Sequence, residues 1–174
     1  MTIKTARMTL VPATATLARA EIEDRTAFAA LLGAAIPAAW PPETLADALA
    51  FFLQQLEADP ERVGWITWYG VADGVGGEPP VLVASGGFFG PPHEDRVEIG
   101  YAVLPEFQRK GYGAETAGAL TEWALAQAGV RCVVANVASD NTPSVRLLRR
   151  LGFSEVGASD EPGHVRFEKG QEVS

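Results

Sequence analysis

The run VEIGYAVLPEFQRKGYGAE, from Val97 to Glu115, admits few folds. Val97, Ile99, Tyr101 and Val103 alternate with Glu98, Gly100 and Ala102, and this period of two predicts a strand. Pro105 has no amide proton to give a ladder and ends the pattern. A turn, QRKGYG, follows with Gly111 and Gly113, and Ala114, Ala117, Leu120 and Ala124 then share a helical stripe. Strand, glycine turn and helix N-terminus together form a layout that receives a pyrophosphate. Glycines let the backbone approach a bulky anion, and the first helical N–H groups have no partner of their own. Gln108, Arg109 and Lys110 flank the turn with a donor and two positive charges. The same spacing also suits a plain strand-to-helix connector with a solvated basic corner, so the turn alone leaves both readings open.

The rest of the chain supplies what such a unit can pack against. RMTLVPAT, residues 7–14, reads as a first strand carrying Met8, Leu10 and Val11. A helix is expected from Thr16 to Leu32 on Leu17, Ala20, Phe28, Leu31 and Leu32, punctuated by Gly33 and Pro37. Trp40-Pro41-Pro42 cannot continue a helix. A second helix is expected from Glu43 or Thr44 to Asp59, with Leu45, Leu49, Phe52, Leu53 and Leu56 on its apolar face. Strands are expected at 64–72 and 81–89, joined by the hairpin loop DGVGGEPP, and GPPHED leads into the strand described above. Three strands with short loops make an antiparallel meander.

Beyond the helix from Tyr112 to Gly129, residues 131–138 read as a buried strand. A crossover helix requires that strand to run parallel to the one before it. SDNTPSVRLLRRLGF then offers Asp140 or Asn141 as N-cap, Pro143 in the first turn and Gly152 as the stop. Residues 153–156 and 164–168 form an expected closing hairpin. With 174 residues and no linker-like segment, one α+β domain is the economical reading.

Composition narrows the function. An apolar share of 47% and a charged share of 21% describe a globular chain with a sizeable core, and no apolar run is long enough to span a membrane. MTIKTARM lacks the pattern of a signal peptide, so a cytoplasmic location is expected. Cys132 is the only cysteine; it lies in an apolar run and reads as a small buried hydrophobe. His93 and His164 have no metal-site spacing, so no metal is expected. A net charge of −8, with no basic stripe, argues against nucleic acid and slightly favours a cationic substrate.

EIGYAVLPEFQRKGYGAE followed by DNTPSVRLLRRLGF resembles the GNAT superfamily of acetyl-CoA-dependent N-acetyltransferases. Gln108-x-x-Gly111-x-Gly113 matches the family's acyl-CoA pyrophosphate loop, and Asn141-x-x-Ser144 with Leu151-Gly152-Phe153 matches its second cofactor segment. Glu98-Ile99-Gly100-Tyr101 and Asn141-x-x-Ser144 are similar to the branch that acetylates ribosomal-protein N-termini, which also contains enzymes for other amines. The resemblance implies a mixed central sheet of six to seven strands flanked by about four helices. Its first half would be antiparallel, and its parallel pair would splay at the cofactor.

The resemblance also implies roles. The backbone of Tyr101, Ala102 and Val103 would pair with the pantetheine arm, with one N–H stabilising the developing oxyanion. The amides of Arg109, Lys110, Gly111, Tyr112, Gly113 and Ala114 would hold the pyrophosphate, aided by the helix dipole and the charges of Arg109 and Lys110. Glu98 is the candidate general base; the small Gly100 and Ala102 on its face leave room for an amine. Many relatives carry a tyrosine as acid where this chain has Leu148. Ser144, a water, Tyr101 or Tyr112 would then deliver that proton. Asn141 would hold the pantetheine amide, although helix capping alone explains it. Trp40, Trp68, Phe88, Phe89 and His93 are candidates for the acceptor pocket, and so aromatic a set suits a side-chain or aryl amine over a polyamine.

The expected acceptor is a small-molecule amine or a peptide N-terminus, and the expected state is a monomer or homodimer. Two other readings compete. A dinucleotide-binding domain would need a glycine where Thr116 stands, and an acid at the strand end near Asn136 or Val137. A non-catalytic acyl-CoA sensor would fit the absence of the tyrosine.

Overall fold

The computed structural model describes residues 1–171. The first three strands are β1 (Ile3–Lys4), β2 (Met8–Pro12) and β3 (Thr67–Ala72). Next come β4 (Val81–Phe88), β5 (Arg96–Val103) and β6 (Cys132–Ala138), and the closing hairpin is β7 (Ser154–Ala158) with β8 (His164–Gly170). They form one eight-stranded sheet in the order β1-β2-β3-β4-β5-β6-β8-β7. The helices are α1 (Ala15–Glu23), α2 (Arg25–Leu32), α3 (Leu49–Ala58), α4 (Tyr112–Leu125) and α5 (Thr142–Arg150). The mixed α+β architecture therefore stands, with one more strand and one more helix than the resemblance implied; the extra strand is the two-residue β1 on the outer edge.

The extra helix comes from Asp24. The expected single helix from Thr16 to Leu32 breaks there, because Asp24 is extended (φ −151°, ψ 92°) and its carboxylate caps α2 by accepting from Ala27 N at 3.1 Å. Short acidic side chains favour that role over a helix interior. The apolar spacing carries the same mark, with Ala20 and Phe28 separated by the acidic Glu21, Glu23 and Asp24. α3 starts later than expected, at Leu49, after a 3₁₀ turn over Ala46–Ala48.

Every neighbouring pair in the sheet is antiparallel except β5 and β6. That parallel pairing holds only from Arg96 against Cys132 to Glu98 against Val134. Past this point β5 stays with β4, up to Val103 against Ala84, while β6 stays with β8, up to Ala138 against His164. The sheet opens between them, and residues 99–103 of β5 have no strand on that side.

Alternation along the strands feeds two cores. Met8, Trp68, Val83, Phe88, Val97 and Ile99 meet Ala117, Leu120 and Ala124 of α4 and Leu148 of α5. Tyr69, Val71 and Leu82 face the other way, onto Ala18, Phe28 and Leu56 of α1, α2 and α3. Fully burying a side chain the size of Phe28 or Leu56 contributes about 1.5–3 kcal/mol. The second core takes no residue from β6, β7 or β8. On that face the far half of the sheet carries polar groups instead, and the site forms there.

Candidate functional site

One side of the site grows out of the end of β5. Gln108 Nε2 donates to the Val103 carbonyl at 3.0 Å, which ties the turn to the strand that precedes it. Arg109 (φ 64°) and Gly111 (φ 88°) both adopt the left-handed region, and Gly111 is the N-cap of α4. Left-handed residues in such a turn aim successive N–H groups into one concavity. The amides of Arg109 to Ala114 donate to no other backbone carbonyl among the described residues. This is an anion cradle made of main chain at the positive end of a 14-residue helix. The side chains of Arg109 and Lys110 are exposed beside it.

α5 faces the same opening. Asn141 Oδ1 accepts from Ser144 N at 3.2 Å, so the asparagine caps its helix. Tyr101 lies on the α4 and α5 side of the sheet, and its Oη is buried with no hydrogen-bond partner. Burial pushes the phenol above its ordinary pKa; Ser144, its polar neighbour, offsets part of this without reaching hydrogen-bonding geometry. Tyr112 is occupied elsewhere, with the Arg7 guanidinium 4.5 Å above its ring. Leu148 is 0% exposed and packs in the core.

A cleft of about 370 Å³ opens where β5 and β6 part. Its walls include Phe89, Glu98, Gly100, Asn136, Asp160, Glu161 and Arg166. Register explains the gathering. Glu98 opposes Val134 in the parallel pair, so Asn136 stands two residues further along the same face, and Asn136 opposes Arg166 on β8. Asn136 Nδ2 donates to Glu98 Oε1, and Asn136 Oδ1 is left buried without a partner. Arg166 Nε bonds Glu168 Oε1 at 3.2 Å, and Arg96 pairs with the same carboxylate. Cys132 sits beside this pair, and burial, followed by the Glu168 charge, pushes its thiol above the ordinary value.

Several expected pocket residues lie elsewhere. Trp68 is 0% exposed, its Nε1 donating to the Gly64 carbonyl at 2.8 Å and its ring 5.2 Å from Trp123. Phe88 joins the same aromatic cluster through Trp65 and Trp123. Trp40 is buried on the opposite face and donates to Glu21 Oε2 at 2.9 Å, while His93 projects into solvent. Only Phe89 of that set lines the cleft; it is 77% exposed and lies over Gly100, 3.5 Å from where a Cβ would stand. This cleft is not the aromatic pocket that was expected: three carboxylates, an amide and a guanidinium stand around it. Asn136, Asp160, Glu161 and Arg166 were missed. The lone amide in the apolar strand CVVANVA was the available signal, and it required the sheet register to interpret.

The profile of the acetyltransferase (GNAT) domain matches residues 14–154. The uncharacterized N-acetyltransferase YjdG of Bacillus subtilis is 32% identical over 115 residues, which is 66% of each chain. The chain thus spans just under two thirds of that relative, and only 35% of a second, YoaA of the same organism, at 36% identity. Among solved structures, the ribosomal-protein-S5-alanine acetyltransferase of Vibrio fischeri superposes with a TM-score of 0.66 at 14% identity, covering 98% of this chain and 96% of that one. RimJ of Mycobacterium smegmatis, solved with CoA-disulfide, gives 0.62 at 19% identity over 94% and 81%. At such identities these likenesses speak for the fold, and they include the branch that the sequence motifs resemble.

Proposed function

Because the chain belongs to the GNAT acetyltransferase family, we propose that it transfers an acetyl group from acetyl-CoA to a primary amine held in the cleft beside Glu98. The carrying observation is the parting of β5 from β6, which leaves one edge of residues 99–103 free between an anion cradle and a carboxylate-lined cleft. Acetyl-CoA supplies an activated thioester. The amides of Arg109 to Ala114 fit its pyrophosphate, because they lack backbone partners and lie at a helix N-terminus. Residues 99–103 of β5 offer free main-chain groups to its pantetheine amides.

Glu98 takes the proton from the incoming ammonium, as neutral amine is needed for attack. Asn136 fixes the Glu98 carboxylate by hydrogen bond. Tyr101 and Ser144 stand on the opposite side of β5, where proton donors to the departing sulfur belong; the raised Tyr101 phenol stays protonated at neutral pH. Asp160 and Glu161 at the mouth favour a cationic acceptor, either a small amine or a peptide N-terminus.

The test is thiol release from acetyl-CoA across a panel of amines and peptide N-termini, with coenzyme A binding measured by calorimetry. Turnover with cationic acceptors, lost in Glu98→Gln while the affinity for coenzyme A stays, is the expected result. The buried Leu148, where the family resemblance implies a tyrosine, gives the sensor reading its footing. Tight binding without turnover on any amine would favour it.

A further inference from the structure

Arg7 precedes β2, far in sequence from the glycine turn, yet its side chain ends against that turn. Its Nη2 lies 3.0 Å from the position a Cβ on Gly111 would occupy. Arg7 is held at three points, two of them on its guanidinium. Nε donates to Glu115 Oε1 at 2.9 Å, the backbone N–H donates to Glu115 Oε2 at 3.0 Å, and the plane lies 4.5 Å over the Tyr112 ring. Thr5 Oγ1 donates to the same carboxylate and fixes it in turn. Neither Nη group donates to a protein acceptor among the described residues, and the side chain is 45% exposed.

A guanidinium anchored through Nε and stacked on a ring has already lost most of its rotamer freedom, and its outer edge is built to receive an oxyanion. If the contact served only to tie the corner before β2 to α4, the Nε–Glu115 bond would suffice. It would not bring the Nη edge to Gly111, one of the two left-handed residues that form the cradle. We propose that Arg7 is a phosphate-contacting residue of the cofactor site, its Nη groups donating to a phosphate of bound coenzyme A. This rests on the assignment of the Arg109–Ala114 turn to the cofactor. The pyrophosphate and the 3′-phosphate share this chemistry, and the ligand series below separates them.

The experiment compares wild type, Arg7→Gln, Arg7→Lys and Gly111→Asp in calorimetric binding of coenzyme A and dephospho-coenzyme A. Turnover of S-acetylpantetheine, which carries no phosphate, and melting temperature are measured in parallel. Arg7→Gln is expected to weaken coenzyme A about tenfold, the scale of one charge-assisted hydrogen bond, and to leave S-acetylpantetheine unaffected. Arg7→Lys keeps a charge for Glu115 and recovers only part of the loss, because an ammonium lacks the fork. A loss shared by dephospho-coenzyme A assigns the pyrophosphate, and a loss confined to coenzyme A assigns the 3′-phosphate. Unchanged affinity in Arg7→Gln, or an equal loss towards S-acetylpantetheine, overturns the proposal and leaves the turn assignment standing if Gly111→Asp still weakens binding. Unchanged affinity in Gly111→Asp overturns the turn assignment and Arg7 with it.

Discussion

On one side of the site, Arg109 to Ala114 present consecutive backbone amides without main-chain partners among the described residues, positioned by the left-handed Arg109 and Gly111. The opposite side collects side chains from β5, β6 and β8 and from two loops, and nothing local holds them together. A main-chain cradle tolerates side-chain change, since any residue able to adopt the turn presents the same N–H groups. A wall of side chains changes its selectivity with each substitution. The difference teaches where one fold can keep a single cofactor and vary its acceptor: the division runs along β5, with amides at its end and Glu98 at its middle.

The sharpest way to break this division is at Glu98. Glu98→Gln is expected to lower kcat about 10²-fold at neutral pH, within the range of general base assistance, with the coenzyme A Kd unchanged by calorimetry. A comparable loss of cofactor affinity would show that the two sides are not separable. Asn136→Ala comes next. It frees the Glu98 carboxylate from its Nδ2 donor, and a misplaced base is expected to cost about tenfold in kcat/KM for the amine. Its signature is a loss in kcat/KM with the coenzyme A Kd and the melting temperature unchanged, which a general loss of packing would not produce.

Legibility in the sequence followed the same line. The strand, turn and helix of 97–115 could be predicted because each step rests on neighbours: alternation, Pro105, the glycines, then the alanine stripe. Asn141 capping α5 was readable for the same reason. The cleft wall was not, because Asn136 meets Glu98 only through the parallel register and Asp160 enters from a hairpin loop. Trp68 and Phe88 misled in a related way. Aromatic residues near loops suit either a pocket or a core, and here Trp123 of α4 draws both inward. The break at Asp24 had a local signal in its acidic run, which the apolar positions on either side masked.

Asp160→Asn with Glu161→Gln sharpens the acceptor side further. Both residues are exposed, so the double variant is expected to raise KM for a cationic amine only about two- to fivefold at low salt, with the gap closing as salt screens it. An unchanged KM would remove long-range attraction from the account of acceptor choice.

The smallest effects are in stability, and they take opposite signs on the two faces of the sheet. On the α4 side, burial alone would raise the Glu115 pKa, but hydrogen bonds from Thr5 and Arg7 and the charge of Arg7 outweigh it and hold the carboxyl below its ordinary value. A depressed folded pKa gives stability that is present above the unfolded value and lost as pH falls through the folded one. On the α1 side, burial raises Glu21, and the donors Trp40 Nε1 and Tyr69 Oη, each at 2.9 Å, only partly offset it. A raised folded pKa gives stability that is fully present below the unfolded value and lost as pH rises through the folded one. Urea unfolding of wild type, Glu115→Gln and Glu21→Gln across the acid range tests both. The contribution removed by Glu115→Gln is expected to grow as pH rises through the carboxylate range, and that removed by Glu21→Gln to shrink. Parallel curves for the two variants would mean that neither carboxyl is linked to folding in the way its hydrogen bonds and burial imply.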